Sequence, residues 1–321
     1  MKPKQLFLIF LSLTTTVKAL QFNKVIIWGH KLHSHTHSYI HYGFTKAFKA
    51  MGYETYWLDN KDDISEIDFS NSLFITEGQV DQKMPRRSDC IYILHNRDAK
   101  NYSTVPQKHR LGMQVYTNDC ENRNCTKMAD CILYSTRERI IYLPWATDLL
   151  PHEIDQVKLQ ATLTRANKEI PFIGSYMGGT FNNSTEWQQF AKAAQKYGCL
   201  FKHYAATSRN MEENQSITQN AYLAPAIQGK WQCETGYIPC RIFKNISYGQ
   251  IGITNNPTVY KLFNHTIVYN PDTYQLFIDA KKRLETITIE ELHAQMDFVR
   301  DHHTYINRVN CLLRYISECL G

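Results

Sequence analysis

The sequence predicts an α/β protein of two doubly wound domains facing a cleft. Three observations carry this. Short apolar runs end in Gly or polar residues, segments with apolar residues at helical spacing separate them, and the cycle occurs twice within 321 residues. Hydrophobic residues make up 43% and charged ones 21%, which supplies two buried cores and excludes global disorder. The 14 glycines and 10 prolines are too few for a collagen-like or linker-dominated chain. No apolar run reaches the roughly 18–20 residues of a conventional spanning helix.

Residues 1–20 read as a signal peptide. Two lysines precede an apolar run over 6–13, and Val17-Lys18-Ala19 then offers small residues for cleavage. This places the protein in the secretory pathway, the periplasm or the medium; a non-functional leader would leave it cytoplasmic. The 9 cysteines are too dispersed for a disulfide scaffold. Cys120, Cys125 and Cys131 lie close together, as do Cys233 and Cys240, so local bridges are open to them. None has the C-x2-C spacing that grips zinc. The N-x-[ST] pattern falls on Asn101, Asn124, Asn182, Asn183, Asn214, Asn245 and Asn264, which matters in a glycosylating host.

The first domain spans 21–147. The continuous apolar run 24–28 is that of a buried parallel strand, and it ends in Gly29-His30. A helix over 38–51 has Ile40, Phe44, Ala47, Phe48 and Met51 on one face, and a strand over 53–58 follows Gly52. Further strands are expected at 73–76, 90–94, 113–116, 131–134 and 140–143. The hinge is placed at 143–148. The second domain, 148–321, opens with a strand at 170–173, and Ser184 caps a helix running to about residue 197. Strands follow at 199–204, 221–227, 251–254 and 266–269. Helices are expected at 212–220, 240–248, 273–284, 289–301 and 305–319.

Ligands of open α/β sheets bind beyond the carboxyl ends of the strands. That rule selects Gly29, His30, Glu77, His95, Arg97 and Asn118 from the first domain, and Gly174, Ser175 and Asn255 from the second. Arg241 and Lys244, three apart, share a face at the start of a helix. Free N–H groups and the positive pole of that helix suit a phosphate or diphosphate; the rival reading is two solvated charges. His30, His33, His35, His37 and His41 crowd the loop after the first strand, and an imidazole there can serve as a general base. His37 and His41 have a spacing compatible with a metal, but no carboxylate or cysteine accompanies them along the chain, so no metal is expected.

From Arg241 through Gly249, then Asn255-Asn256-Pro257, Val268-Tyr269-Asn270 and His303-Thr304-Tyr305-Ile306-Asn307-Arg308, the chain resembles the C-terminal half of the group 1 glycosyltransferases, in particular the spore-coat-maturation type. The resemblance implies the GT-B architecture: two Rossmann-like domains, with the sugar nucleotide bound mainly by the second. It implies a metal-independent hexosyltransferase without a cofactor. It places Arg241 on the donor diphosphate with Lys244 beside it, and Gly174 and Ser175 in the phosphate-side loop. Thr254, Asn255 and Arg97 would line the cleft. His95 stands where retaining GT-B enzymes approach the donor sugar with a histidine, with Arg97 and Glu77 as its neighbours. His30 is the candidate base, and retention or inversion stays open.

Lys244 departs from the pattern, because many relatives place a Glu there on the ribose hydroxyls and an ammonium cannot accept those bonds. That favours an alternative: a secreted, non-catalytic glycan-binding protein on a degenerate GT-B scaffold. The expected partners are a nucleotide-sugar donor and a glycan, lipid or protein hydroxyl acceptor, with peripheral membrane association open. The net charge of +6 is mild for this length, and no nucleic-acid partner is expected.

Overall fold

A computed structural model describes residues 22–35, 37–95, 102–118, 120–165, 167–174, 182–204 and 209–320. The leader, Arg97, Asn101 and Ser175 lie outside the described residues. The architecture is α/β with a large, mainly parallel sheet, as the alternating pattern predicts.

The first lobe contains β1 (Lys24–Trp28), α1 (Ser38–Ala50), β2 (Glu54–Leu58), β3 (Ser72–Thr76), β4 (Ile91–His95), β5 (Arg110–Gln114), β6 (Thr126–Ala129), β7 (Ile132–Ser135) and β8 (Ile140–Tyr142). Its eight strands are ordered β2-β1-β3-β4-β5-β8-β7-β6. Pairing is parallel from β2 through β8, and β7 and β6 continue antiparallel. Side chains alternate across the sheet, so Val25 and Ile27 enter one buried cluster while Ile26 and Trp28 enter the other. Each fully buried residue of this size contributes about 1.5–3 kcal/mol.

Two expectations shift here. The strand placed at 113–116 runs over Arg110–Gln114, because Gly112 belongs to the ladder and donates to the Arg139 carbonyl at 2.7 Å. The β6 strand was not anticipated. Its Thr-Lys-Met-Ala sequence has no apolar alternation, and it forms the antiparallel edge.

The second lobe follows with α2 (Pro151–Gln160), β9 (Glu169–Ile173), α3 (Ser184–Lys196), β10 (Leu200–Tyr204), α4 (Met211–Gln219), α5 (Lys230–Glu234), α6 (Cys240–Ser247), β11 (Ile253–Thr254), α7 (Pro257–Leu262), β12 (Val268–Tyr269), α8 (Thr273–Thr286), α9 (Ile289–His302) and α10 (Tyr305–Leu320). The N-cap of α3 is Asn183 rather than Ser184, and the Asn183 amide donates instead to Ile227 O at 3.1 Å. β9 pairs with β10 and β11 with β12, both in parallel. Segment 221–227, expected as a strand, lies between the pairs: Tyr222 N–H donates to Glu169 O (2.7 Å) and Ala226 N–H to Ile253 O (2.9 Å). It forms no regular ladder because side-chain amides take its carbonyls. Gln250 Nε2 donates to Ala221 O at 3.1 Å, and Asn245 Nδ2 donates to Ala224 O at 2.5 Å.

α10 leaves the second lobe and packs on the first. Tyr305, Val309, Leu312, Tyr315 and Ile316 join Phe44 and Phe48 of α1 in one cluster. The buried Arg308 fastens this crossing to the chain between β8 and α2. Its Nε donates to Pro144 O (2.7 Å), Nη1 to His302 O (3.1 Å), and Nη2 to Trp145 O (3.4 Å) and His303 Nδ1 (3.1 Å). Thus the His303-to-Arg308 motif binds the segment between β8 and α2.

Cys90, Cys131, Cys199, Cys233, Cys240, Cys311 and Cys319 are free thiols. The bridge open to Cys233 and Cys240 is not made; they sit in different helices, α5 and α6. Asn183, Asn214 and Asn245 are buried, so three of the N-x-[ST] positions are closed to a bulky glycan.

Candidate functional site

The carboxyl ends of β1, β3 and β4 bring together His30, Glu77 and His95. Glu77 is the centre, its side chain 5% exposed. His30 Nε2 lies 3.6 Å and His41 Nε2 3.9 Å from its Oε1, while His37 Nδ1 contacts Oε2. The His35 ring stacks on that of His30 at 4.2 Å and meets His37 edge-on at 5.1 Å. Local polar contacts shape this loop: Ser38 Oγ donates to His35 O at 2.6 Å and accepts from His33 N–H at 3.2 Å. Gly29 is required by close approach, since a Cβ there would sit 2.0 Å from His41 Cε1.

Charge in the cluster follows from burial. Burial pushes the Glu77 carboxyl up, but hydrogen bonding by His37 and the charges of His41, His37 and His30 outweigh it, so its pKa is lowered and it stays ionised. His35 is lowered by burial and by the neighbouring His30 and His37. His95 is lowered to about 4, chiefly by burial and then by His37, with Glu77 opposing. Neither ring nitrogen of His95 has a hydrogen-bond partner among the described residues. The ring lies 5.1 Å from Trp145 and shares with His41, Thr76 and Glu77 a cavity of about 10 Å³, roughly the room for one water.

This gives a pH prediction. Between the free histidine value of 6.5 and the folded value of about 4, the unfolded chain binds a proton at His95 that the folded chain does not. Stability therefore rises with pH across that window. The contribution is complete above about pH 6.5 and is lost as pH falls toward 4, with about 3 kcal/mol at stake. Urea unfolding of wild type and His95→Gln at several pH values checks it; an equally steep acid loss in the variant refutes the assignment.

The second lobe supplies the cations. Arg241, in the first turn of α6, lies on the Phe172 ring at 4.3 Å and donates from Nη2 to Ile173 O at 3.0 Å. It thereby caps the end of β9 beside Gly174, whose φ is +133° and where a Cβ would come 2.9 Å from Nη2. The Gly174 carbonyl meets His203 Nε2 at 2.6 Å. Burial lowers the Arg241 pKa, and among the described residues no carboxylate pairs with it.

Lys244, one turn further, is committed differently. Its Nζ lies 3.2 Å from Asp148 Oδ1 and 4.9 Å from the Tyr39 ring centre of α1. Burial works against that ammonium, but Asp148 outweighs it and the pKa is raised. Tyr248 Oη also donates to Asp148 at 2.7 Å. The carboxylate that answers Lys244 is thus Asp148, from the segment between β8 and α2. Tyr39 reaches back to His33 Nδ1 at 3.2 Å and so connects the histidine loop to α6.

The other expected site residues are placed differently. Thr254 and Asn255 are buried and hold the chain beside them. Asn255 accepts from Gln228 N–H (2.9 Å) and donates to Gln228 O (2.8 Å), while Thr254 Oγ1 donates to Ala226 O (3.4 Å). Arg97 and Ser175 fall outside the described residues. Tyr39, Asp148 and Tyr116 were not singled out as site residues from sequence. Tyr116 packs against Trp231 at 5.0 Å and Tyr237 at 5.5 Å, and Thr117 N–H donates to Thr235 O at 3.1 Å, joining the lobes near Arg241.

No protein-family model matches the chain, and no curated protein matches it in sequence. Solved structures do. An alpha-glucosyltransferase in complex with UDP and a 13-mer DNA containing a HMU base superposes with a TM-score of 0.58 at 8% identity, covering 92% of this chain and 99% of that one. An alpha-glucosyltransferase with UDP and a 13-mer DNA containing a central A:G mismatch gives 0.59 at 9% identity, over 91% and 99%. The DNA-modifying enzyme beta-glucosyltransferase, solved in the presence and absence of uridine diphosphoglucose, gives 0.53 at 11% identity, over 91% and 99%. The shared fold is the GT-B arrangement of Rossmann-like domains, over nearly the whole chain.

Proposed function

We propose that the protein is a glycosyltransferase, moving a sugar from a nucleoside-diphosphate donor to a hydroxyl acceptor, in the manner of the spore-coat-maturation type. The observation that carries this is Arg241, a partly buried guanidinium beside Gly174 with no carboxylate partner among the described residues. Such a group calls for an anion, and a fork of N–H donors fits a diphosphate. Arg241, with Gly174 and Ser175, holds the leaving diphosphate, while the charge of Lys244 is taken by Asp148. Charge developing on the departing oxygen is met by the Arg241 guanidinium. The pair Thr254 and Asn255 shapes the cleft floor from beneath.

On the other side, His30 and His37 flank the ionised Glu77 and supply the proton acceptor for the incoming hydroxyl. His95, kept neutral by burial, adjoins this cluster. The acceptor hydroxyl belongs to a glycan, lipid or protein. The leader would deliver the enzyme to the secretory pathway, whose eukaryotic lumen imports sugar nucleotides.

The test is a panel of nucleotide sugars, scored by thermal shift and by release of nucleoside diphosphate. A ligand held by the native state raises stability by about 2.7 kcal/mol at a hundred times its Kd. Acceptor panels include glycans, lipid and protein hydroxyls, and also DNA, because glucosyltransferases of this fold were solved with it. Glycan binding without any nucleotide response would replace the enzyme with a lectin-like protein.

A further inference from the structure

The histidine loop has no carboxylate near it in sequence, and the fold brings one. We propose that His30, His35 and Glu77 form a binding site for a first-row divalent cation, zinc being the probe of choice. One ligand atom from each of the three lies within 4.8 Å of the other two. Two imidazoles and a carboxylate are the donor set of zinc and related sites that keep coordination positions open.

The geometry is close to what an ion requires. Bonds of about 2.1 Å in a tetrahedral site put ligand atoms roughly 3.4 Å apart. His30 Nε2 and Glu77 Oε1 are already separated by 3.6 Å. Only His35, on a partly exposed loop, has to turn inward by roughly an ångström to complete that spacing. The second oxygen of Glu77 is held by His37, and the His30 carbonyl meets His41 Nδ1 at 3.2 Å. Outer contacts of this kind orient metal ligands.

The surroundings also favour a cation. Glu77 is 5% exposed, and among the described residues no lysine or arginine pairs with it. Its partners are imidazoles, whose ring nitrogens together with the carboxylate are a donor set that a divalent ion takes. His30 is 22% exposed, so the remaining coordination positions are reachable by a water or a hydroxyl from its side. The site does not depend on the transfer reading. If both hold, the ion receives the acceptor oxygen, and His37 is the imidazole left to take its proton.

The experiment uses the full chain, stripped with chelator and titrated with zinc chloride by calorimetry, with no nucleotide or sugar present. Failure there leaves the transfer reading untouched, and failure of the nucleotide panel leaves this titration untouched. Wild type is expected to bind one equivalent, with affinity falling at least tenfold in His30→Ala and in His35→Ala, as loss of a direct ligand demands. His152→Ala, at an exposed position outside the cluster, is expected to bind as wild type does. Cobalt in place of zinc should give d–d bands that both loop variants lose. Absence of stoichiometric zinc in wild type, or a decrease below tenfold in either loop variant, overturns the proposal. The two loop positions are partly exposed, and thermal unfolding of each variant confirms that it is folded.

Discussion

Replacing Arg241 with methionine is expected to abolish the thermal response to nucleoside diphosphates and to lower transfer 100- to 1000-fold, about 3–4 kcal/mol of lost transition-state stabilisation. The side chain rests on Phe172 and gives one N–H to Ile173 O, so most of its donors remain for a ligand. Methionine keeps the apolar contact with the ring and removes the charge. The internal bond lost is that to Ile173 O, about 0.5–1.5 kcal/mol, and it is offset by removing a charge that burial disfavours and that no carboxylate pairs among the described residues. The ligand-free melting temperature should therefore hold steady or rise while the nucleotide response vanishes. Arg241→Lys should recover part of the binding, since a point charge remains but the fork is lost. A variant that melts several degrees lower yet still responds to nucleotide would show Arg241 to be structural.

Arg308→Met is expected to have the opposite signature, a loss of about 4 kcal/mol in unfolding free energy whether or not ligand is present. The guanidinium satisfies three carbonyls, those of Pro144, Trp145 and His302, and the Nδ1 of His303. Methionine fills much of the space but leaves those acceptors without a donor in a buried site, at about 1–3 kcal/mol each before relaxation. Urea denaturation should show a lower midpoint at nearly constant slope. Arg308→Lys should recover less than half, because an ammonium cannot reach carbonyls on several sides of the guanidinium plane. A loss under about 1 kcal/mol would mean that water replaces the side chain and that the segment between β8 and α2 does not rely on it.

The fold was legible where it depends on neighbours in sequence. The runs over β1, β3 and β4 and the apolar face of α1 are local patterns, and their strand ends bring His30, Glu77 and His95 near one another. Segment 221–227 has the composition of a strand, but its hydrogen-bond partners are amides of Gln250 and Asn245, which no periodicity announces. Lys244 looked like a substitution for a carboxylate; its meaning lies in Asp148, nearly a hundred positions earlier between β8 and α2. Glu77 likewise joins the histidine loop only because β1 and β3 are adjacent in the sheet. Each of these is a long-range pairing, created by topology.

The return of α10 to the first lobe has a consequence for how the polypeptide matures. During synthesis the first lobe emerges before α10, yet the cluster around Phe44 and Phe48 includes residues of α10. The core of that lobe is therefore filled only after the intervening lobe has been made, and α10 straps the two lobes together in addition to the chain between β8 and α2.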